Sequence, residues 1–204
     1  MPNNPHQGET RSVSLPIEKR ADGKTIGGYA AVFRSPTSIG GYFTEIIAPG
    51  AFTKALQSTD VRALYDHKWG RVLGRTSTGT LRLKEDDKGL AAEIDLPDTT
   101  DGRDVRALME RGDLDGMSFL FRAVREEWDE TTSPPTRTLL EAELYEVSVV
   151  ADPAYPDATV AMRSREKARE EAEQDHAEHN RKQAEARIAE RKAAAEQKFR
   201  RIPG

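Results

Sequence analysis

Between Ser12 and Val150 the chain strings together short apolar runs separated by glycine, proline and aspartate, and only twice does it adopt the spacing of a helix. That rhythm leaves a narrow choice of fold. Val13, Leu15 and Ile17 alternate as a first strand, followed by Ile26–Phe33 and Tyr42–Ile47. Pro49-Gly50 opens a short helix over 51–56, with Phe52 and Leu56 at i, i+4. Val61–Tyr65 reads as a short buried strand. Val72–Thr76, Thr80–Lys84 and Leu90–Leu96 form a meander with turns at Thr78-Gly79 and Asp86–Gly89. Thr99, Thr100 and Asp101 supply N-cap chemistry for a helix over 102–111, which carries Val105, Leu108 and Met109 on one stripe and ends at Gly112. Two long strands close the region, one from Gly116 to about Glu127 and one over Thr138–Val150, joined by a polar turn at 129–136. Pro153 and Pro156 cannot continue a ladder. Many strands with two short helices predict a mainly β (α+β) domain, a barrel or closed sandwich.

The chain divides by composition into three parts. Residues 1–12 are polar and contain two prolines, which predicts a disordered N-terminus, and His6 lies there as a surface residue. Residues 13–162 hold the apolar residues of one modest core. Residues 163–204 hold few bulky apolar residues and are rich in Ala, Glu, Lys, Arg and Gln, with pairs such as Glu178/Lys182 and Arg181/Glu185 at i, i+4. A long charged helix is expected there, serving either as a solvated helix or as a docking segment for other chains.

Charge narrows the function. The tail carries 12 Lys and Arg against 9 Asp and Glu, a net of +3, which leaves 19 against 26, a net of −7, for the rest. An acidic body argues against nucleic-acid binding, which needs clustered cations for phosphate. The absence of cysteine excludes a disulfide framework, a thiolate metal site and a cysteine nucleophile. His176 and His179 would share a helix face, but no third ligand accompanies them, so neither a metal nor a cofactor is expected. No apolar run has the length of a membrane span and residues 1–11 lack the apolar segment of a signal peptide, so a soluble, cytosolic protein is expected.

Three polar residues stand out against the strands that carry them. Ser118 interrupts Met117-Ser118-Phe119-Leu120-Phe121, His67 ends Val61–His67, and Glu146 sits inside Leu144–Val150. A strand serine is ordinarily bonded to backbone, and a lone histidine is ordinarily structural. A carboxylate in an apolar strand is harder to explain unless it is paired. Taken together they are the parts of a serine hydrolase. A hydroxyl attacks only when a base takes its proton, histidine can accept and return that proton near neutral pH, and a carboxylate fixes the imidazole tautomer. Asp66 and Asp115 compete with Glu146 for the third role. Asp66 would point to the opposite strand face from His67, which favours Glu146. No Gly-x-Ser-x-Gly elbow is present, which argues against an α/β-hydrolase.

Five segments carry a family resemblance: Gly27-Gly28-Tyr29-Ala30-Ala31-Val32-Phe33, Ile47-Ala48-Pro49-Gly50-Ala51-Phe52, Tyr65-Asp66-His67 with Leu73-Gly74-Arg75, Arg111 to Phe119, and Leu144 to Tyr155. In this order the chain resembles the prohead, or capsid maturation, serine proteases of tailed phages, which are distantly similar to the herpesvirus assemblins. The resemblance covers about residues 13–162. It implies a closed β-barrel of the assemblin-like type and an endopeptidase, with His67 and Ser118 as base and nucleophile. In assemblins the third member is a second histidine; Glu146 stands in the matching place. The assemblin arginine pair that supports the oxyanion has no match, since Asp152-Pro153 stands there, and backbone N–H groups are the expected donors.

The implied substrates are the major capsid protein or its scaffold segment and the protease itself, with the portal as a further candidate partner and a homo-oligomer as a candidate state. The implied place of action is the host cytoplasm, inside the assembling procapsid. The 163–204 tail would then recruit the protease into the shell or be trimmed. The rival expectation is a non-enzymatic capsid-assembly or scaffolding protein that keeps the protease fold; a further one is an esterase using the same three residues.

Overall fold

The computed structural model describes residues 8–151 and, between 162 and 187, a set of separate positions, each of them helical. β1 (Glu9–Val13), β2 (Glu18–Lys19), β3 (Thr25–Val32), β4 (Thr37–Ile39) and β5 (Phe43–Ile47) lead to α1 (Thr53–Ser58). β6 (Arg62–Tyr65), β7 (Val72–Arg75), β8 (Leu81–Glu85) and β9 (Gly89–Asp95) follow. After them come α2 (Thr100–Arg111) and two long strands, β10 (Gly116–Asp129) and β11 (Thr136–Val150). The protein is mainly β with few helices, an α+β chain. Two compact units divide it between Ala161 and Met162. Among the described residues no helix is long and apolar enough to cross a membrane.

The strands form two sheets rather than the expected closed barrel. The smaller has the order β2-β3-β9-β8; the larger, seven-stranded one follows β1-β10-β11-β5-β4, with β6 pairing β11 and β7. β3 pairs with β2 and β9, β10 pairs with β1 and β11, and among the described residues no strand of one sheet pairs with a strand of the other. The sheets meet through side chains instead. Ile26, Ala30, Leu90 and Ile94 share one buried cluster with Met117, Phe119, Phe121, Val147 and Val149 of the larger sheet. Phe52, delivered by the turn before α1, meets the Phe119 ring edge-on at 5.5 Å and closes this core.

β11 is the spine. One side pairs along its length with β10; the other is shared by β5 over Thr136–Leu139 and by β6 over Glu146–Val149, both parallel. The gap between β5 and β6 is not left unsatisfied, because Ala142 N–H donates to Ala51 O at 2.8 Å just before α1. α2 is capped as its sequence predicts. The Thr99 side chain accepts from Gly102 N–H, and Gly112 ends the helix at φ 80°, a left-handed value that glycine takes without steric cost.

Two expectations need correction. The first strand is not the Val13-Leu15-Ile17 alternation but Glu9–Val13, so residues 9–12 are an ordered part of the larger sheet and not a disordered tail. Its inward residues are Glu9 and Arg11, both buried, whose charges hide the strand from any apolar pattern. The long tail helix can be followed only at the separate described positions from 162 to 187, where Lys182 pairs with Glu178 at 2.8 Å; the remainder of that expectation lies outside the described residues.

Candidate active site

The pairing of β1, β10 and β11 sets Ser12, Ser118 and Ser148 in one row across the larger sheet. Two residues earlier on β11, Glu146 stands opposite Leu120. Alternation puts Ser118, Glu146 and Ser148 on the face away from Met117, Phe119, Val147 and Val149, which fill the core.

His67 reaches this row through a backbone turn. β6 runs parallel to β11, and its ladder continues one residue past the strand, where Asp66 N–H donates to Val149 O at 3.0 Å. Asp66 and His67 then both adopt left-handed backbone conformations, φ 56° and 55°. Such angles cost roughly 1–2 kcal/mol per residue, though Asp and His tolerate them better than most. The turn is held by His67 N–H donating to Ser148 Oγ at 3.1 Å and by Lys68 N–H donating to Tyr65 O at 3.2 Å. Strained backbone that persists under such bonds is a common feature of functional sites.

The ring then bridges two strands. His67 Nδ1 lies 2.6 Å from Glu146 Oε1, and Nε2 lies 2.8 Å from Ser118 Oγ. A carboxylate only accepts, so Nδ1 carries the proton and Nε2 is left as an acceptor facing the hydroxyl. Glu146 is 1% exposed and also accepts from the Ser148 hydroxyl, so both its oxygens are satisfied away from water. The His67 side chain remains 32% exposed. This order of groups can deprotonate a hydroxyl and hold the resulting imidazolium beside a carboxylate.

The two rival acids are elsewhere. Asp66 pairs with Lys68 at 2.8 Å, and Asp115 is exposed on the turn before β10. Asp152 and Pro153 lie outside the described residues. The sequence reading did not single out Ser12, whose hydroxyl donates to Ser118 Oγ at 3.0 Å, nor the role of Ser148, although a polar residue two positions after Glu146 on the same face was a signal for it. Among the described residues no group of three or more His, Cys, Asp or Glu side chains is placed to hold a metal ion. His179 contacts Gln183 at 2.8 Å; His176 lies outside the described residues.

On the opposite face of β1 lies a buried charge cluster. Arg11 donates to Glu45 through two nitrogens, at 2.6 and 2.8 Å, and to Glu9 at 2.7 Å. Arg137, fully buried, donates to Glu9 at 2.6 and 2.8 Å, to Glu45 at 2.9 Å, and to Glu126. Burial alone would raise the Glu9 carboxyl; the hydrogen bond and charge of Arg137, with the charge of Arg11, outweigh it and hold Glu9 below the usual carboxylate range. The same carboxylates raise Arg137 above its ordinary value against the opposing effect of burial.

The prohead protease of Enterobacteria phage HK97 is 34% identical over 152 residues, covering 71% of this chain and 63% of that protein. The prohead protease of Escherichia phage T5 is 32% identical over 96 residues, covering 47% of this chain and 42% of that protein. The chain thus matches less than two thirds of the length of either relative. No solved structure matches it. Residues 11–173 match the caudovirus prohead serine proteases, and the chain belongs to that family.

Proposed function

We propose that this chain is a serine endopeptidase in which Ser118 is the nucleophile, His67 the general base and acid, and Glu146 the carboxylate that orients the imidazole. The observation that carries this reading is the single ring bridging Ser118 Oγ at 2.8 Å and Glu146 Oε1 at 2.6 Å. Three separated side chains would have favoured an assembly protein without chemistry. As Ser118 Oγ attacks a peptide carbonyl carbon, its proton passes to His67 Nε2, and the carbonyl π electrons move onto oxygen. Collapse breaks the C–N bond, and Nε2 returns the proton to the leaving amine. Water, deprotonated by the same nitrogen, then hydrolyses the Ser118 ester and restores the hydroxyl. Glu146 stays ionised throughout and stabilises the imidazolium.

Membership of the prohead protease family supports capsid proteins as the substrate class, with the scaffold segment of the major capsid protein and this chain itself as the cleaved targets. Action inside the assembling procapsid follows from the same reading, as does a recruiting or trimmed role for residues 163–204. Co-expression of wild type and Ser118→Ala with the cognate capsid protein, followed by intact mass of both chains, tests the proposal. Capsid protein cut by wild type alone is the expected result; identical uncut masses would turn the reading to an assembly factor.

A further inference from the structure

Ser118 is fully buried, which is unusual for a group that must meet a peptide bond. What covers it is β1. This strand runs antiparallel to β10 with Ser12 directly across from Ser118, and the Ser118 hydroxyl donates to the Arg11 carbonyl at 2.9 Å. The hydroxyl has one proton and two acceptors at nearly equal distance, His67 Nε2 and Arg11 O. A carbonyl oxygen that takes this proton competes with the base and is not being attacked. Ser12 Oγ, donating to Ser118 Oγ, occupies a lone pair that attack would use.

The strand also has the placement of an extended ligand. Its backbone pairs with the edge of β10, as in peptide recognition by strand addition. Its carbonyl at position 11 lies at the nucleophile. The Arg11 side chain fills a receptor built from other strands, in which Glu45 takes it bidentately and the Phe121 ring lies 5.3 Å from its guanidinium carbon. Without β1, buried Glu45 would lose the guanidinium that takes both its oxygens. A cavity of about 370 Å3 runs along Arg11–Leu15, with Val32, Glu45 and Phe119 on its far side, so a longer side chain or an opening strand has space there.

We propose that Glu9–Val13 is an autoinhibitory strand standing in the place of an extended substrate peptide along β10, and that the substrate residue taking the place of Arg11 is basic. This inference rests on the protease reading of Ser118. Catalysis then requires β1 to leave the β10 edge, after which the peptide pairs with the freed backbone groups and sets its own carbonyl at Ser118.

The test uses the full chain and a fluorophosphonate probe, which bonds its phosphorus to a reactive serine oxygen and releases fluoride as the base takes the serine proton. Thr10 and Leu120 are direct cross-strand partners, and the chain has no cysteine of its own. The double variant Thr10→Cys/Leu120→Cys can therefore be locked by oxidation and released by reduction. Labelling of Ser118, mapped by mass spectrometry, is expected to be at least tenfold slower in the locked form than in the reduced form. Arg11→Glu, which sets a carboxylate against Glu45, is expected to label at least tenfold faster than wild type. The synthetic peptide Gly-Glu-Thr-Arg-Ser-Val-Ser should slow labelling of Arg11→Glu, and the same peptide with Glu in place of Arg should not. Equal labelling of locked and reduced forms overturns the autoinhibitory strand while leaving the hydrolase intact. Equal competition by both peptides overturns the basic preference. No labelling of Ser118 in any form overturns the nucleophile itself, and this inference with it.

Discussion

Ser148 stands directly across from Ser118 in the β10–β11 ladder, yet its hydroxyl serves the other two members of the site. It donates to Glu146 Oε2 and accepts the His67 backbone N–H at 3.1 Å. One side chain thus fixes both the carboxylate and the strained turn that aims the imidazole. Removing it leaves a buried carboxylate oxygen and a backbone N–H short of a partner, a loss of about 1.5–3 kcal/mol for a bond to a charged group. Ser148→Ala is expected to lower kcat about 10- to 100-fold with little change in KM, and to move the pH profile of kcat because the acid beside His67 is altered. Ser148→Thr, which keeps the hydroxyl, should recover most of the loss. Steady-state kinetics on a peptide substrate from pH 5 to 9 checks both.

Glu146→Gln separates shape from proton placement. The amide fills the same space, but its NH2 can donate to Nδ1, which favours the tautomer carrying hydrogen on Nε2. Nε2 then faces the Ser118 hydroxyl as a donor and cannot take its proton. The expected loss in kcat is about 10^3- to 10^4-fold with the fold intact by circular dichroism. An amide variant within tenfold of wild type would remove Glu146 from the site's chemistry.

The sequence and the structure agree where polar residues break an apolar pattern, and part where charge replaces apolarity. Ser118, His67 and Glu146 are conspicuous because hydrophobic strands surround them, and the fold brings those three together. β1 was invisible for the opposite reason: Glu9 and Arg11 are inward-facing but charged, and only partners 34 and 128 residues away in the chain, Glu45 and Arg137, make their burial tolerable. Barrel closure failed on a similar ground. Local pattern gives each strand its faces but not its edge partners, and among the described residues no strand of one sheet pairs with a strand of the other.

Asp66 tests whether the backbone turn aims the histidine. Its left-handed conformation is one a β-branched residue adopts only with strain of roughly 1–2 kcal/mol or more, whereas glycine adopts it freely. The ion pair to Lys68 is half-exposed and contributes little. Asp66→Val should therefore lose more stability and more activity than Asp66→Gly, even though Gly removes the larger part of the side chain. Paired thermal denaturation and kcat measurements decide it; equal losses in the two variants would mean that the turn is not what positions His67.

Acid should loosen β1 through Glu9. Its carboxyl is held below the unperturbed value of 4.5 because Arg137 and Arg11 favour its charged form more strongly than burial opposes it. A depressed folded value contributes stability that is fully present above the unfolded value and is lost as pH falls through the folded one. Wild type and Glu9→Gln should therefore differ most near pH 7. There the variant removes one of the two buried carboxylates, Glu9 and Glu45, that Arg11 and Arg137 share, and breaking a buried pair in this way costs about 3–5 kcal/mol. The gap should begin to narrow as the pH drops toward 4.5 and continue to close below it, because protonated wild-type Glu9 then resembles the amide. Urea denaturation of both proteins at several pH values between 7 and 3 gives the two curves. A gap that held constant across that range would mean that the Glu9 charge contributes nothing to the cluster, and that β1 is kept on the β10 edge by its backbone ladder and Arg11 alone.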